Sequence, residues 1–279
     1  MLRLLDCGLG LMRDTFQISG SAAQIYEEQK VPAMFAPLAR ATLDAVRLSE
    51  NDVVLDVACG TGILARTIRD RVGPKISIAG VDLNEGMIAA ARSITDGASA
   101  PIRWEVADAT DTPFEDAAFS VVFCQQGIQF FPDDQAAVRE MHRLLKPGGR
   151  AVITVWAGIS PFFRALANGI ERHVDAKTAE LSLAPFAYDG AHRLPAILSS
   201  AGFDHVNVEK ISVDRFIGPP SIGVPKEIMS NTVGPTVSAK GDAVMQAIAK
   251  EVESECARFM RGNDLVVPQA ADLVIALAS

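Results

Sequence analysis

Residues Val53–Ala58 read VVLDVA, an apolar run broken by a single acid, and the run ends in Cys59-Gly60-Thr61-Gly62. A short run rich in β-branched residues reads as a central strand buried on both faces, and such strands belong to parallel sheets. Leu64, Ile68 and Val72 then recur every fourth residue, the stripe of a helix packed on that sheet. Gly73-Pro74 stops the helix. A buried strand, a glycine turn and a helix in succession point to a doubly wound α/β fold.

The alternation continues along the chain. Strands are expected at Ile76–Val81, closed by Asp82, and at Ile102–Val106, followed by Ala107-Asp108-Ala109. Two more are expected at Phe119–Cys124 and Ala151–Trp156. Helices are expected at Glu85–Ile94 and after Asp133-Asp134, acids that suit a helix N-terminus by capping and by charge. Lys146-Pro147-Gly148-Gly149 reads as the stop of that second helix. Beyond it come a helix over Pro161–Val174, an irregular stretch at Asp175–Gly190 and a short helix at Ala191–Ala201. A strand at Val206–Phe216, a helical insertion over Ser221–Gly262 and an apolar strand at Asp272–Ala278 complete the chain. We divide it into an N-terminal arm with cap helices over 1–50 and a cofactor-binding core over 51–157. The remaining half, 158–279, carries cap insertions and the last two strands of the same domain.

Composition narrows the function. With 279 residues, 49% of them hydrophobic and 22% charged, the chain can bury a sizeable core. A net charge of −8 without clustered Lys and Arg argues against nucleic acid as the main partner. Met1–Met12 is apolar but interrupted by Asp6, and reads as a loosely docked arm, not a signal peptide. Ala151–Ile170 contains Pro161, Arg164 and Asn168, so it reads as strand then helix and not as a membrane span. Cys7, Cys59, Cys124 and Cys256 have no CxxC spacing, so no metal site is expected and a reducing cytoplasm fits.

The chemistry gathers at the strand ends. Gly60-x-Gly62-x-x-Ala65 satisfies the dinucleotide fingerprint, so an NAD(P)-dependent oxidoreductase stands as a rival reading. Asp56 sits four residues before Gly60, where a carboxylate would meet an ammonium group but repel a pyrophosphate. Asp82 follows the glycine turn by about twenty residues, placed to accept both hydroxyls of a ribose in either reading. Asp108 and the backbone N–H of Ala109 are placed to read an adenine edge.

Four ordered segments carry a more specific signal: VLDVACGTG within Val53–Gly62, GVDLNEGMIAAAR at Gly80–Arg92, ADATDTPFEDAAFSVVF at Ala107–Phe123 and REMHRLLKPGGR at Arg139–Arg150. In them the chain resembles the class I S-adenosylmethionine-dependent methyltransferases, particularly the small-molecule enzymes of the ubiquinone/menaquinone-biosynthesis type. The resemblance implies a seven-stranded sheet of order 3-2-1-4-5-7-6 with strand 7 antiparallel and helical cap insertions, Asp272–Ala278 being strand 7. It implies S-adenosyl-L-methionine as cofactor, with Asp56, Ala58, Gly60 and Gly62 on its methionine side and Asp82 on the ribose. It further implies Leu83 and Met87 flanking the adenine, Asp108 and Ala109 on its edge, Gln125 on the cofactor's amino group and Tyr26 as a cap. Apolar Leu83 and Met87 also suit a plain core role, and Tyr26 an ordinary amphipathic helix.

The implied activity is C- or O-methylation of a small, largely apolar metabolite by a monomer or homodimer. Relatives often carry a His after strand four. Here Gln125-Gln126-Gly127-Ile128-Gln129-Phe130-Phe131 has no ionisable group, so a general base there is in doubt. Of four histidines, His173 and His192 are the candidates for a catalytic base, and His142 reads as structural. A non-catalytic partner protein that keeps the cofactor fold and a macromolecule methyltransferase are the further rivals.

Overall fold

The apolar run at Val53 forms β1 (Val53–Val57), with Val54 to Val57 buried. It pairs in parallel with β2 (Ser77–Asp82) on one side and β4 (Phe119–Gln125) on the other. β3 (Arg103–Val106) lies outside β2, and β5 (Leu145–Trp156) outside β4, both parallel. β8 (Asp264–Ala278) then runs antiparallel beside β5, and β6 (Phe203–Gly218) antiparallel beside β8. The computed structural model describes residues 21–279, so the arm read at Met1–Met12 and Cys7 lie outside the described residues.

The order β3-β2-β1-β4-β5-β8-β6 is the expected topology, with the antiparallel strand inserted beside β5. That strand is eighth in the chain because the two-residue β7 (Met260–Arg261) precedes it in a hairpin. β8 also starts at Asp264, eight residues before the expected Asp272. Its first half alternates buried and partly exposed residues around Pro268, which hides the strand signal. Pro268 is tolerated because β8 pairs with β5 only from Ala271 onward and with β7 only at Asp264 and Leu265, leaving β6 as the one neighbour at the proline. β5 likewise starts at Leu145: Lys146–Gly149, read as a helix stop, form a bulge between the pairs Phe119↔Leu145 and Val121↔Arg150.

Two cores cover the sheet. Leu55, Val57, Val122 and Ile153 pack under α5 (Asp134–Leu144) and α8 (Gly190–Ser200). Val54, Val121, Phe123 and Trp104 pack under α2 (Ala36–Ala45), α3 (Ile63–Val72) and α4 (Glu85–Ile94). Burying each large apolar side chain of this kind stabilises the fold by about 1.5–3 kcal/mol. Asp133 caps α5 through Ala136 N at 2.8 Å. Its neighbour Asp134 is buried instead, held by Arg193 and by the Tyr188 hydroxyl.

Past the end of β5, β6 and β8 continue as a two-stranded ribbon. α6 (Pro161–His173), α9 (Pro220–Met229) and α11 (Asp242–Glu255) sit on it, with Phe162, Ile170, Ile228 and Ile248 buried against Leu265 and Val267. The short α7 (Ala176–Ser182) and α10 (Gly234–Ser238) add Ala179 and Val237 to the same cluster. From the other end of the chain, α1 (Ser21–Ile25) opens into a π-helical segment, Tyr26–Phe35, before α2. Pro32 lies inside that segment, and a proline ring clashes with the carbonyl four residues back, which favours the wider turn. No helix among the described residues is long and apolar enough to cross a membrane.

Candidate cofactor and acceptor site

β1 connects to β2 on one side and neighbours β4 on the other, so a crevice opens at their C-terminal ends. The backbone there is strained on both strands: Ala58 has φ 54° and Gln126 φ 57°, conformations that cost a non-glycine residue about 1–3 kcal/mol and cluster at functional sites. A narrow cleft there is lined by Tyr26, Phe35, Asp56, Ala58, Gly60 and Gln125, with Cys59, Ile63 and Leu64 completing it.

Backbone amides hold the two acids of this crevice. Asp82 accepts from Gly60 N at 2.8 Å and from Asn84 N at 2.9 Å, clipping the glycine turn to the end of β2. Asp56 is 1% exposed and accepts from Ala65 N at 3.2 Å, in the first turn of α3. Burial, partly offset by that amide and reinforced by Asp82, pushes the Asp56 carboxyl up to about 8. Burial also raises Asp82, against the pull of its two amides. The Tyr26 phenol is raised by burial and then by the charges of Asp82, Glu27 and Asp56. No Lys or Arg is among the described lining residues to hold the Asp56 carboxyl ionised.

The two glycines do different jobs. Gly60 has φ 56° and space above it, where an added Cβ would meet only Tyr26 at 3.9 Å. Gly62 has φ 82°, and an added Cβ would overlap the indole of Trp104. A ligand approaching the backbone accounts for Gly60 alone, since Trp104 of β3 occupies the space over Gly62. Trp104 was not among the residues singled out from sequence, and nothing in a β-strand tryptophan signals which glycine it covers.

Gln125 ends β4 with Nε2 donating to Phe35 O at 3.4 Å, while its Oε1 is buried without a hydrogen-bond partner among the described residues. Leu83 lies 59% exposed just after Asp82, and Met87 is buried in the first turn of α4. Asp108 is exposed, with Oδ1 accepting from Thr110 N and Oγ1, and Ala109 packs against the core. The structure thus brings Tyr26, Asp56, Ala58, Gly60 and Gln125 to one cavity with Asp82 clipped to it. Leu83, Met87, Asp108 and Ala109 sit beside it at the ends of β2 and β3, outside the lining.

The histidines lie elsewhere. His173 contacts Glu251 at 2.8 Å between α6 and α11, and His192 is exposed beside Asp189. Neither lines the cavity. His142 contacts Gly202 O and the edge of Phe203, a structural place. Among the described residues no cluster of His, Cys, Asp and Glu could hold a metal ion.

Residues 54–149 match the family model described as Methyltransferase domain. The chain thus has the Rossmann-like methyltransferase fold, and its core is similar to a methyltransferase domain over those residues. It is similar to a ubiquinone/menaquinone biosynthesis C-methyltransferase of Geobacter sulfurreducens, 41% identical over 116 residues, which are 41% of this chain and 45% of that protein. The namesake protein of Neisseria meningitidis serogroup B is 29% identical over 61% of this chain and 74% of its own length. A demethylmenaquinone methyltransferase of Staphylococcus aureus is 29% identical over 57% and 70%. The match thus spans less than half the length of the Geobacter protein.

Solved structures share the fold. Phosphoethanolamine N-methyltransferase 2 of Haemonchus contortus, solved with phosphomonomethylethanolamine and S-adenosylhomocysteine, superposes with a TM-score of 0.62 at 19% identity. That match covers 96% of this chain and 59% of the other. The YcgJ protein of Bacillus gives a TM-score of 0.57 at 17% identity, covering 86% and 97%.

Proposed function

We propose that this chain is an S-adenosylmethionine-dependent methyltransferase acting on a small, largely apolar metabolite, in a reducing cytoplasm. One observation carries the choice over a dinucleotide enzyme: the Asp56 carboxylate occupies Ala65 N. A pyrophosphate needs the free N–H groups and positive end of that helix, and here the Ala65 N–H is taken by a buried acid. A cation suits the same place. The buried, unpartnered Oε1 of Gln125 in the same cavity is an acceptor waiting for a donor, as an ammonium group supplies.

Asp56 and Gln125 would hold the amino end of the cofactor, and Gly60 would let its chain pass close to the backbone under Tyr26. Asp82 keeps lone pairs beyond the two it gives to amides, so ribose hydroxyls fit its free side. Leu83 and Met87 would flank the adenine, with Asp108 and Ala109 on its edge. When bound, the cofactor supplies an electrophilic methyl group on a positively charged sulfur. The chain's own part is to orient the acceptor and exclude water, since positioning contributes about 7–11 kcal/mol to such a displacement. Tyr26 and Phe35, stacked at 5.4 Å, close the crevice on the side of the N-terminal segment.

Relatives named for quinone-precursor methylation favour a cyclic apolar acceptor, and Phe35, whose ring lines the crevice, supplies an aromatic face for one. Calorimetry with S-adenosylhomocysteine and with NAD⁺ and NADP⁺ tests the cofactor. Saturable binding of the first alone is expected, and binding of a pyridine nucleotide in its place would overturn the reading. Transfer of labelled methyl to a panel of aromatic and polar acceptors tests the substrate class.

A further inference from the structure

We propose that the methyl acceptor carries a deprotonated oxygen, as a carboxylate or enolate on an aromatic ring, and that Arg215 and Gln269 anchor it. The inference rests on the methyltransferase reading above and names the chemistry of its second ligand.

Arg215 is 2% exposed and is the bulkiest fully buried side chain of the described residues. A guanidinium has five N–H donors and no way to lose its charge. Glu227 Oε2 accepts one at 2.7 Å, and a second points at Met34 Sδ, a weak acceptor. Nε has no partner among the described residues. Glu227 is already shared, because Lys30 Nζ donates to its Oε1 at 2.7 Å. Two cations therefore meet one carboxylate in the interior. Despite burial, which works the other way, Arg215 and Lys30 draw the Glu227 carboxyl down to about 2. A buried charge without full compensation is costly, and an arriving anion would relieve it.

Gln269 adds the second observation. It is 1% exposed, and neither its Oε1 nor its Nε2 has a partner among the described residues. It pairs across the ribbon with Val213, and Arg215 pairs with Val267, so alternation places Gln269 and Arg215 on one face. Trp156, opposite Ala271, is one row nearer the cofactor crevice on that face, and Thr154 and Gln125 follow.

Aromatic rings join the two places. Phe35 lines the crevice, stands 6.4 Å from Trp156, and Trp156 stands 6.5 Å from Phe186. Phe186 lies 4.5 Å from Phe163, whose ring centre is 4.7 Å from the Arg215 guanidinium. These rings pack in one chain of contacts, so a flat acceptor entering from the crevice would part them as it turns an anionic oxygen toward Arg215. Met34 and Phe35 are adjacent in the π-helical segment, so one turn both walls the crevice and covers Arg215. The Met34 sulfur holds the position the anionic oxygen would take. A purely structural triad fastening residue 30 to the cap would explain the ion pairs but leaves Arg215 Nε and both amide atoms of Gln269 unused.

The test compares matched ligands by calorimetry, with and without saturating S-adenosylhomocysteine. Naphthoate is set against naphthamide, and an ionised hydroxynaphthoquinone against its neutral methoxy counterpart; the two pairs separate carboxylate from enolate. The anion of at least one pair is expected to bind roughly tenfold to a hundredfold more tightly than its neutral partner, the scale of a charge-assisted hydrogen bond. Arg215→Met should erase that preference and leave S-adenosylhomocysteine affinity unchanged. Gln269→Leu removes two unpaired buried groups, so it should fold at least as stably as the wild type while losing part of the preference. Equal binding of charged and neutral members, binding of neither, or a preference that survives both substitutions would overturn the proposal. Failure of S-adenosylhomocysteine to bind while the anion preference persists would instead sink the cofactor reading and leave the anion site standing.

Discussion

The indole of Trp104 occupies the space over Gly62, so that a Cβ there would overlap Cη2 and stand 2.9 Å from both Cζ2 and Cζ3. Gly62→Ala should therefore destabilise the protein twice over, through a left-handed backbone costing about 1–2 kcal/mol and overpacking costing about 1–3 kcal/mol. A double-mutant cycle in urea with Trp104→Leu separates the two. The cost of Gly62→Ala should shrink by the overpacking part once the indole has been removed, and strict additivity would refute the contact as the cause.

Gly60 behaves in the opposite sense. Its added Cβ meets nothing nearer than Tyr26 at 3.9 Å, so Gly60→Ala should lower stability by no more than the backbone term, about 1–2 kcal/mol. The methyl group projects toward the proposed cofactor path, so affinity for S-adenosylhomocysteine should fall much more than stability does. Parallel melting curves and titrations check the split; an affinity equal to wild type would place the cofactor elsewhere.

Asp56 makes both stability and binding depend on pH. Its carboxyl is raised to about 8, against an ordinary value near 3.9 in an unfolded chain. Between those values the folded protein keeps a proton that the unfolded chain has released. The contribution to stability is thus full below about 4 and is lost as pH rises to about 8. The difference in unfolding free energy between wild type and Asp56→Asn should trace that fall. A cationic ligand favours the ionised carboxylate, so binding should release a proton at neutral pH and strengthen as pH approaches 8. Calorimetry in buffers of different ionisation enthalpy reads the proton directly, and proton uptake would contradict this assignment.

His173 and His192 lie away from the crevice, one against Glu251 and the other exposed by Asp189. Alanine at either should leave methyl transfer within about a factor of two, as expected of surface changes of about 0.5 kcal/mol. A large loss of turnover at unchanged stability would restore that histidine as a base and require the cap to move.

The parallel strands and the acidic strand ends were legible because each depends on local pattern, whereas the strand order followed only from the resemblance carried by the four ordered segments. Apolar runs of strand length, a four-residue stripe and a glycine turn follow from neighbours within a few residues along the chain. Boundaries were less legible where tertiary pairing overrode local signals, as at Lys146–Gly149, drawn into β5 as a bulge, and at Pro268 inside β8.

What the chain determined unaided was the doubly wound sheet and the crevice acids Asp56 and Asp82, set by periodicity and by the turn each acid adjoins. Only the tertiary structure decided that Trp104 fills the space over Gly62 and that Lys30, Arg215 and Glu227 form one buried cluster. Those groups come from distant parts of the chain, and their meeting depends on how a π-helical turn and a two-stranded ribbon pack together. Short-range pattern carries no record of such an encounter.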